Sequence, residues 1–294
     1  MKVLRVLTAA LVMVGITLGA RPAAADEHPE WTTPFPAFRI AGNLYYVGSK
    51  DLASYLVVTP QGNILINSSL ESSPALIQRS IESLGFKLSD TRILLLSHAH
   101  WDHDAGSAKL LQATGAKYMV MDGDVPVVES GGKADFYYGA TTHYPPARVD
   151  RVLHDGDVVE LGGTRLVAHK TPGHTRGCTT WTMQVREGGA MRNVVIVGSW
   201  NVNPGFRLVD LPGRPASYPG IAADYQRTFR TLASLPCDIF LGAHGAYFNM
   251  LQKYARLQQG AKDVWVDPAG YRAAVAERQA AFLRELHRQQ ASGR

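Results

Sequence analysis

The chain has 294 residues, 46% of them hydrophobic and 19% charged, with no low-complexity tract. That composition excludes an intrinsically disordered protein and leaves enough apolar material for one sizeable core. The formal charge of +5 shrinks once Lys2, Arg5 and Arg21 are set aside as N-terminal, because 27 basic residues then face 25 acidic ones, scattered along the chain, which excludes a basic footprint for DNA or RNA.

Lys2 and Arg5 precede an apolar run of fifteen residues, 6–20, followed by Ala23, Ala24 and Ala25. A run that short falls below the ~20 residues a bilayer span needs, and it ends at small residues, the pattern of a secretory signal cleaved after Ala25. The sequence therefore predicts export to the periplasm or beyond, a single domain over 26–294, and no stable membrane association. Next, 38–47 and 53–58 read as paired strands, with Gly42-Asn43 and 48–51 as turns, and 63–66 as a third strand. Ser73 and Pro74 open a helix carrying Leu76, Ile77, Ile81 and Leu84 at helical spacing, and Gly85 stops it. The continuous apolar run 93–96 reads as a strand buried on both faces, and it leads straight into a histidine cluster.

Three more short apolar strands end near candidate site residues: 166–168 before His174, 194–197 before Ser199, and 239–241 before His244. These four strand ends are expected to converge on one edge. Helices are predicted over 106–114, 220–234, 247–259 and 268–290, the last with its arginines on a solvated side. The stretch 122–152 shows Gly, Tyr, Pro and little periodicity, so it reads as a long surface loop, of the kind that often covers a site.

Residues 97–106 read S-H-A-H-W-D-H-D-A-G, which places His98, His100, Asp102 and His103 within six positions. Imidazole and carboxylate suit zinc, yet one turn cannot wrap all four around a single tetrahedral ion without strain. In an extended segment His98 and His100 point the same way, while Asp102 and His103 lie past the bend and face a second ion. Two adjacent metals follow, each needing one more ligand, and the loops carrying His174 and His244 supply one apiece. His28, His143, His154, His169 and His287 lack such context and read as surface or packing residues.

The H-x-H-x-D-H run with later G-H-T and G-A-H histidines resembles the metallo-β-lactamase superfamily, over nearly all of 26–294. Asp102-His103 beside His98, the absence of a zinc-binding cysteine, S-W-N-V-N-P-G over 199–205 and P-C-D over 236–238 are similar to class B, subclass 3 β-lactamases. The resemblance implies an α/β fold, a four-layer αβ/βα sandwich. It implies two zinc ions, the first on His98, His100 and His174, the second on Asp102, His103 and His244. It implies hydrolysis of the β-lactam amide of penicillins, cephalosporins or carbapenems by a zinc-bound hydroxide that Asp102 orients. Ser199, Asn201 and Asn203 occupy the loop expected to meet the substrate carboxylate, although Asn before Pro204-Gly205 is also a good turn starter. A small-molecule β-lactam acted on by a monomer is the implied partnership.

The superfamily also contains lactonases and glyoxalase II-like thioesterases, which usually carry a metal-bridging Asp after the strand equivalent to 194–197. Gly198-Ser199 stands there instead, favouring the lactamase and leaving those hydrolases as the alternative. Two features depart from the subclass. Phe206 replaces a tyrosine often found after the P-G pair, so carbonyl polarisation falls to the first zinc or to another donor. No cysteine follows Cys237, and Tyr271 lies near where its usual partner would be. Whether Cys178 pairs with Cys237 stays open. Ser130 to Lys133 matches the S-x-x-K of serine β-lactamases, but two glycines discourage the helix that motif needs, and neither S-D-N nor K-T-G occurs. Trp31 is a candidate apolar wall of the site or an anchor for the N-terminal segment.

Overall fold

The computed structural model describes residues 28–292, so the signal-peptide reading of 1–25 lies outside the described residues. Two sheets face one another. The first holds β1 (Phe38–Ala41), β2 (Leu44–Tyr46), β3 (Tyr55–Thr59), β4 (Gly62–Ile66), β5 (Thr91–Leu95), β6 (Lys117–Met121) and β7 (Arg151–Leu153), in chain order. Its pairing is antiparallel as far as β4 and parallel beyond. The second runs β12 (Ile239–Gly242), β11 (Ala190–Val197), β10 (Thr179–Glu187), β9 (Thr164–Lys170), β8 (Val158–Leu161). All its neighbours are antiparallel except β11 and β12.

The central strands are apolar at nearly every position because both of their faces are covered. Ile64, Ile66, Ile93 and Leu95 face the core between the sheets, while their neighbours Leu65 and Leu94 face the helices outside. Those helices are the parallel crossovers α2 (Pro74–Ser83) and α4 (Ser107–Thr114), the latter ended by Gly115 in the left-handed conformation. The short helices α1 (Pro29–Thr32) and α3 (Trp101–Asp104) border the site. Over the second sheet lie α6 (Ile221–Ser234), α7 (Met250–Gln258) and α8 (Pro268–Ala291). Asp267 caps α8 by accepting the N–H of Gly270, and Tyr271, Val275, Phe282 and Leu286 form its buried stripe. Phe282 stacks on Tyr225 and Phe229 of α6, so Phe282→Ala would destabilise the fold by about 3–5 kcal/mol. Arg272, Arg278, Arg284 and Arg288 are exposed, as expected of a solvated face.

The sandwich matches the four-layer expectation, with three corrections. The four strand ends do not share one sheet: β5 belongs to the first, and β9, β11 and β12 to the second. They meet because hydrogen bonds stitch the two sheets at that end. Ala53 N donates to Ala243 O (2.9 Å), Tyr55 Oη to Gly242 O (2.6 Å), Thr179 N to Ser97 O (2.7 Å) and Trp181 Nε1 to Leu96 O (3.1 Å). Second, 122–152 is not loop throughout, since it contains α5 (Val125–Glu129), opened by a proline and too short to show a helical period, and it ends in β7. Third, the helix predicted over 247–259 begins as a 3-10 turn, Gly245–Phe248, and restarts at α7 because Asn249 adopts a left-handed φ of 54°.

Candidate metal centre

After β5 the chain bends at Ser97 and Ala99, where His100 N donates to His98 O (3.0 Å), and from an extended His100 (φ −100°, ψ 155°) it turns into α3, which carries Asp102 and His103. The bend inferred from the motif is therefore present. His98, His100 and His174 offer nitrogens that all lie within 4.8 Å of one another, and His98 groups equally closely with Asp102 and His103. His244 completes a further triangle: its Nε2 is 3.1 Å from His103 Nε2 and 3.5 Å from Asp102 Oδ2, which is 3.1 Å from His103 Nε2. His98, His100, Asp102, His103 and His174 are buried, and His244 is nearly so. Two triangles of donors thus share one cleft.

Burial sets the charge state of these rings. Desolvation pushes His98 well below the usual imidazole range and His174 down to about 3, with the neighbouring histidines adding to the effect. Desolvation likewise lowers His103 despite the Asp102 carboxylate beside it. Burial opposes ionisation of Asp102, but His103 and His244 overcome it and hold the carboxylate well below its usual range. For His244, burial is outweighed by hydrogen bonds to Asp102 and Asp51, which raise it to about 9. His98, His103 and His174 are thus neutral and Asp102 ionised, the donor chemistry that zinc takes, whereas His244 keeps its proton at neutral pH until a cation displaces it. His98 Nε2, His100 Nε2 and His103 Nδ1 are buried without a hydrogen-bond partner, an expensive arrangement unless a cation or a close carboxylate compensates.

The rings are held from behind. His174 Nδ1 donates to the carbonyl of Asn201 (2.9 Å), which also accepts from Tyr225 Oη (2.6 Å), so the opposite nitrogen faces the cleft. His244 Nδ1 donates to Asp51 Oδ2 (2.8 Å). His100 Nε2 faces Asp135 Oδ2 at 3.6 Å. Asp124 joins the two loops that carry the candidate ligands His98, His100 and His174: its Oδ2 accepts from Ala99 N (2.8 Å) and Thr175 Oγ1 (2.8 Å), its Oδ1 from Gly177 N (2.7 Å). Sequence reasoning missed Asp51, Asp124 and Asp135. Only Asp124 carried a local signal, as an acidic residue just before Val125-Pro126, and that signal speaks of a helix start rather than of the site.

Ser199, Asn201 and Asn203 line the loop beyond β11, but their polar atoms are partly engaged. Ser199 Oγ lies 3.2 Å from Tyr247 Oη, Asn201 Nδ2 donates to the same phenol at 3.2 Å, and Asn203 Nδ2 donates to Tyr138 Oη at 2.9 Å. Trp31 sits 5.9 Å from His244, with its ring stacked on His28 at 4.2 Å, so it borders the cleft and anchors the N-terminal segment at once. Phe206 is buried between Phe136 and Tyr137. Cys178 and Cys237 are both free thiols, and the Tyr271 hydroxyl donates to Leu232 O (2.7 Å) beside Cys237. Ser130 ends α5, and among the described residues its hydroxyl bonds only to Val127 O and Ala134 N, which supports chance as the origin of S-x-x-K.

The family model described as the metallo-beta-lactamase superfamily matches residues 52–244. Among solved structures, the FEZ-1 metallo-beta-lactamase from Legionella gormanii is 55% identical with a TM-score of 0.85, covering 88% of this chain and 98% of its own. BJP-1, a subclass B3 metallo-beta-lactamase of Bradyrhizobium japonicum, is 36% identical at a TM-score of 0.81, covering 90% and 98%. The class B3 di-zinc enzyme LRA-12 from an Alaskan soil metagenome is 36% identical at 0.79, covering 87% and 96%. The chain spans about half the length of a curated relative, a probable metallo-hydrolase of Burkholderia pseudomallei, with 30% identity over 169 residues and 54% of that protein matched. It spans 31% of a hydroxyacylglutathione hydrolase of Jannaschia, at 33% identity. The chain belongs to the metallo-beta-lactamase superfamily, and within it is most like the class B3 enzymes.

Proposed function

We propose that this protein is a zinc-dependent hydrolase of the β-lactam amide, with one zinc on His98, His100 and His174 and a second on Asp102, His103 and His244. The observation that carries this reading is the pair of facing donor triangles together with the residue two positions past the end of β11. Ser199, buried and tied to Tyr247, stands there and brings no carboxylate to bridge the two groups. Zinc, when bound, supplies Lewis acidity that polarises the lactam carbonyl and lowers the pKa of a nearby water from 15.7 toward ~7.

The chain's own residues then divide the work. Asp102, ionised at neutral pH, accepts a hydrogen bond from the attacking water and fixes its direction. Asn201, through its backbone carbonyl, fixes the His174 ring, and Asp51 fixes His244, so the donors are arranged before substrate arrives. Ser199 and Asn201 present polar side chains on the substrate loop to the antibiotic carboxylate. The FEZ-1 and BJP-1 relatives, similar over almost their whole length, support the lactamase over the thioesterase reading, for which the matched relatives cover only a third of the protein. Export with cleavage after Ala25, and action as a monomer in the periplasm or outside the cell, complete the proposal and rest on the N-terminal sequence pattern and on the family likeness.

Hydrolysis of a cephalosporin, a lactone and a thioester, each with and without chelator, tests the proposal. Chelator-sensitive turnover of the cephalosporin alone is expected. Preferential turnover of the lactone or the thioester would transfer the chain to the alternative class.

A further inference from the structure

Five tyrosine hydroxyls surround the cleft and its loops; three donate to backbone carbonyls and a fourth shares a hydrogen bond with a serine hydroxyl. Tyr137 Oη donates to Pro204 O (3.0 Å), Tyr144 Oη to Ala99 O (3.2 Å) and Tyr225 Oη to Asn201 O (2.6 Å), while Tyr247 Oη pairs with Ser199 Oγ (3.2 Å). Tyr138 is different. Its oxygen accepts from Asn203 Nδ2 at 2.9 Å, and its own proton meets no protein acceptor among the described residues. A phenol that accepts one hydrogen bond and keeps its donor free is a directed donor.

Its placement is over-determined. Asp135 Oδ1 accepts the backbone N–H of both Tyr137 (2.8 Å) and Tyr138 (2.5 Å), which locks the turn, while Asp135 Oδ2 faces His100. The Tyr138 ring stands edge-on to His100 at 5.1 Å and to Trp101 at 4.9 Å, half-buried at the rim of the cleft. An ordinary phenol titrates near ~10, so the proton stays in place at neutral pH. Phe206, on the facing loop, offers no hydroxyl and is buried against Tyr137.

From this geometry we propose that Tyr138 is a catalytic residue, its phenol donating a hydrogen bond to the lactam carbonyl oxygen on the His100 side of the cleft as negative charge builds there. No covalent bond to the protein forms and the phenol keeps its proton. Asn203 is then a positioning residue that aims the phenol. The proposal rests on the β-lactamase reading. Preorganised donors of this kind matter more in the transition state than in the bound substrate, so the effect belongs in kcat rather than KM.

The test compares wild-type protein with Tyr138→Phe, which keeps the ring and removes only the hydroxyl. Expected are a fall in cephalosporin kcat of about 100-fold, in the range seen for loss of one oxyanion donor, a KM changed by less than about threefold, and unchanged zinc content and Tm. Calorimetric affinity for a phosphonate that mimics the tetrahedral intermediate should fall by at least about 10-fold, a readout independent of turnover. Asn203→Leu should give a smaller loss in the same direction. A Tyr138→Phe protein with kcat and phosphonate affinity within about twofold of wild type overturns the proposal, as does one that has lost zinc or melts earlier, since the side chain would then be structural. Failure of the wild type itself to open any β-lactam overturns the parent reading instead.

Discussion

His244 Nδ1 lies 2.8 Å from Asp51 Oδ2, and the other oxygen of Asp51 accepts the N–H of Ala246 at 2.9 Å, so one carboxylate fixes both the ring and the backbone that carries it. Partners of this kind set the tautomer of a metal-binding histidine, and their removal typically weakens metal affinity 10–100-fold. Asp51→Ala should therefore weaken zinc at the Asp102, His103 and His244 group by about that factor while leaving the other group nearly untouched. Competition against a chromophoric chelator resolves the two affinities. Equal weakening at both, or none, would refute the assignment.

Gly173 adopts φ +130°, and a Cβ there would come within 2.8 Å of the Tyr225 ring. Since His174 follows directly, an alanine at 173 strains the backbone and pushes the ligand loop away from α6. Gly173→Ala should destabilise the protein by roughly 2–4 kcal/mol and reduce zinc retention. Gly189→Ala is the control, because it shares a positive φ of +81° but meets nothing within 4 Å. The prediction fails if the two variants unfold at the same temperature.

Asp124 is buried, and burial raises its carboxyl to about 6 although Thr175, Ala99 and Gly177 donate to it. A carboxyl raised on folding binds its proton more tightly in the native state. Its favourable contribution is present in full below the unfolded pKa of 3.8 and is lost as pH rises through about 6, an effect on the order of 3 kcal/mol. Carboxyl carbon chemical shifts in protein labelled at aspartate should show one group titrating near pH 6. Titration of every buried aspartate below pH 4 would contradict this.

Cys178 is buried and its thiol is pushed far up by desolvation, while burial takes Cys237 up to about 12. Thiols this reluctant to ionise react slowly. A disulfide reagent should count two thiols per chain, and only after denaturation, with reductant leaving Tm unchanged. Rapid labelling of native protein, or a reductant-dependent Tm, would be the opposite result.

Much of this site was legible because it is local. The candidate ligands His98, His100, Asp102 and His103 crowd one short segment after a strand whose buried run is unmistakable, and His174 and His244 each follow an apolar strand and lie beside a glycine. Strands β6, β7, β8 and β10 were not read. β7 has only three residues, too few to show a period, whereas β6 is an apolar run and β10 alternates, so both carry an ordinary strand signature that leads to no candidate ligand. The supporting carboxylates were hidden for a different reason. Asp51 meets His244 across 193 positions, and Asp135 meets His100 across a segment with no periodicity, so their roles exist only once the two sheets have closed. Asn203 shows the same limit: its place in the loop was read correctly, but the tyrosine it holds was not.

The most direct measurement strips the purified enzyme with chelator and restores zinc stepwise while following cephalosporin hydrolysis and bound metal together. Activity is predicted to vanish on stripping and to return fully as two zinc ions per chain are taken up, with the variant carrying His100→Ala and His103→Ala staying inactive. Undiminished turnover by metal-free protein or by that double variant would contradict the account.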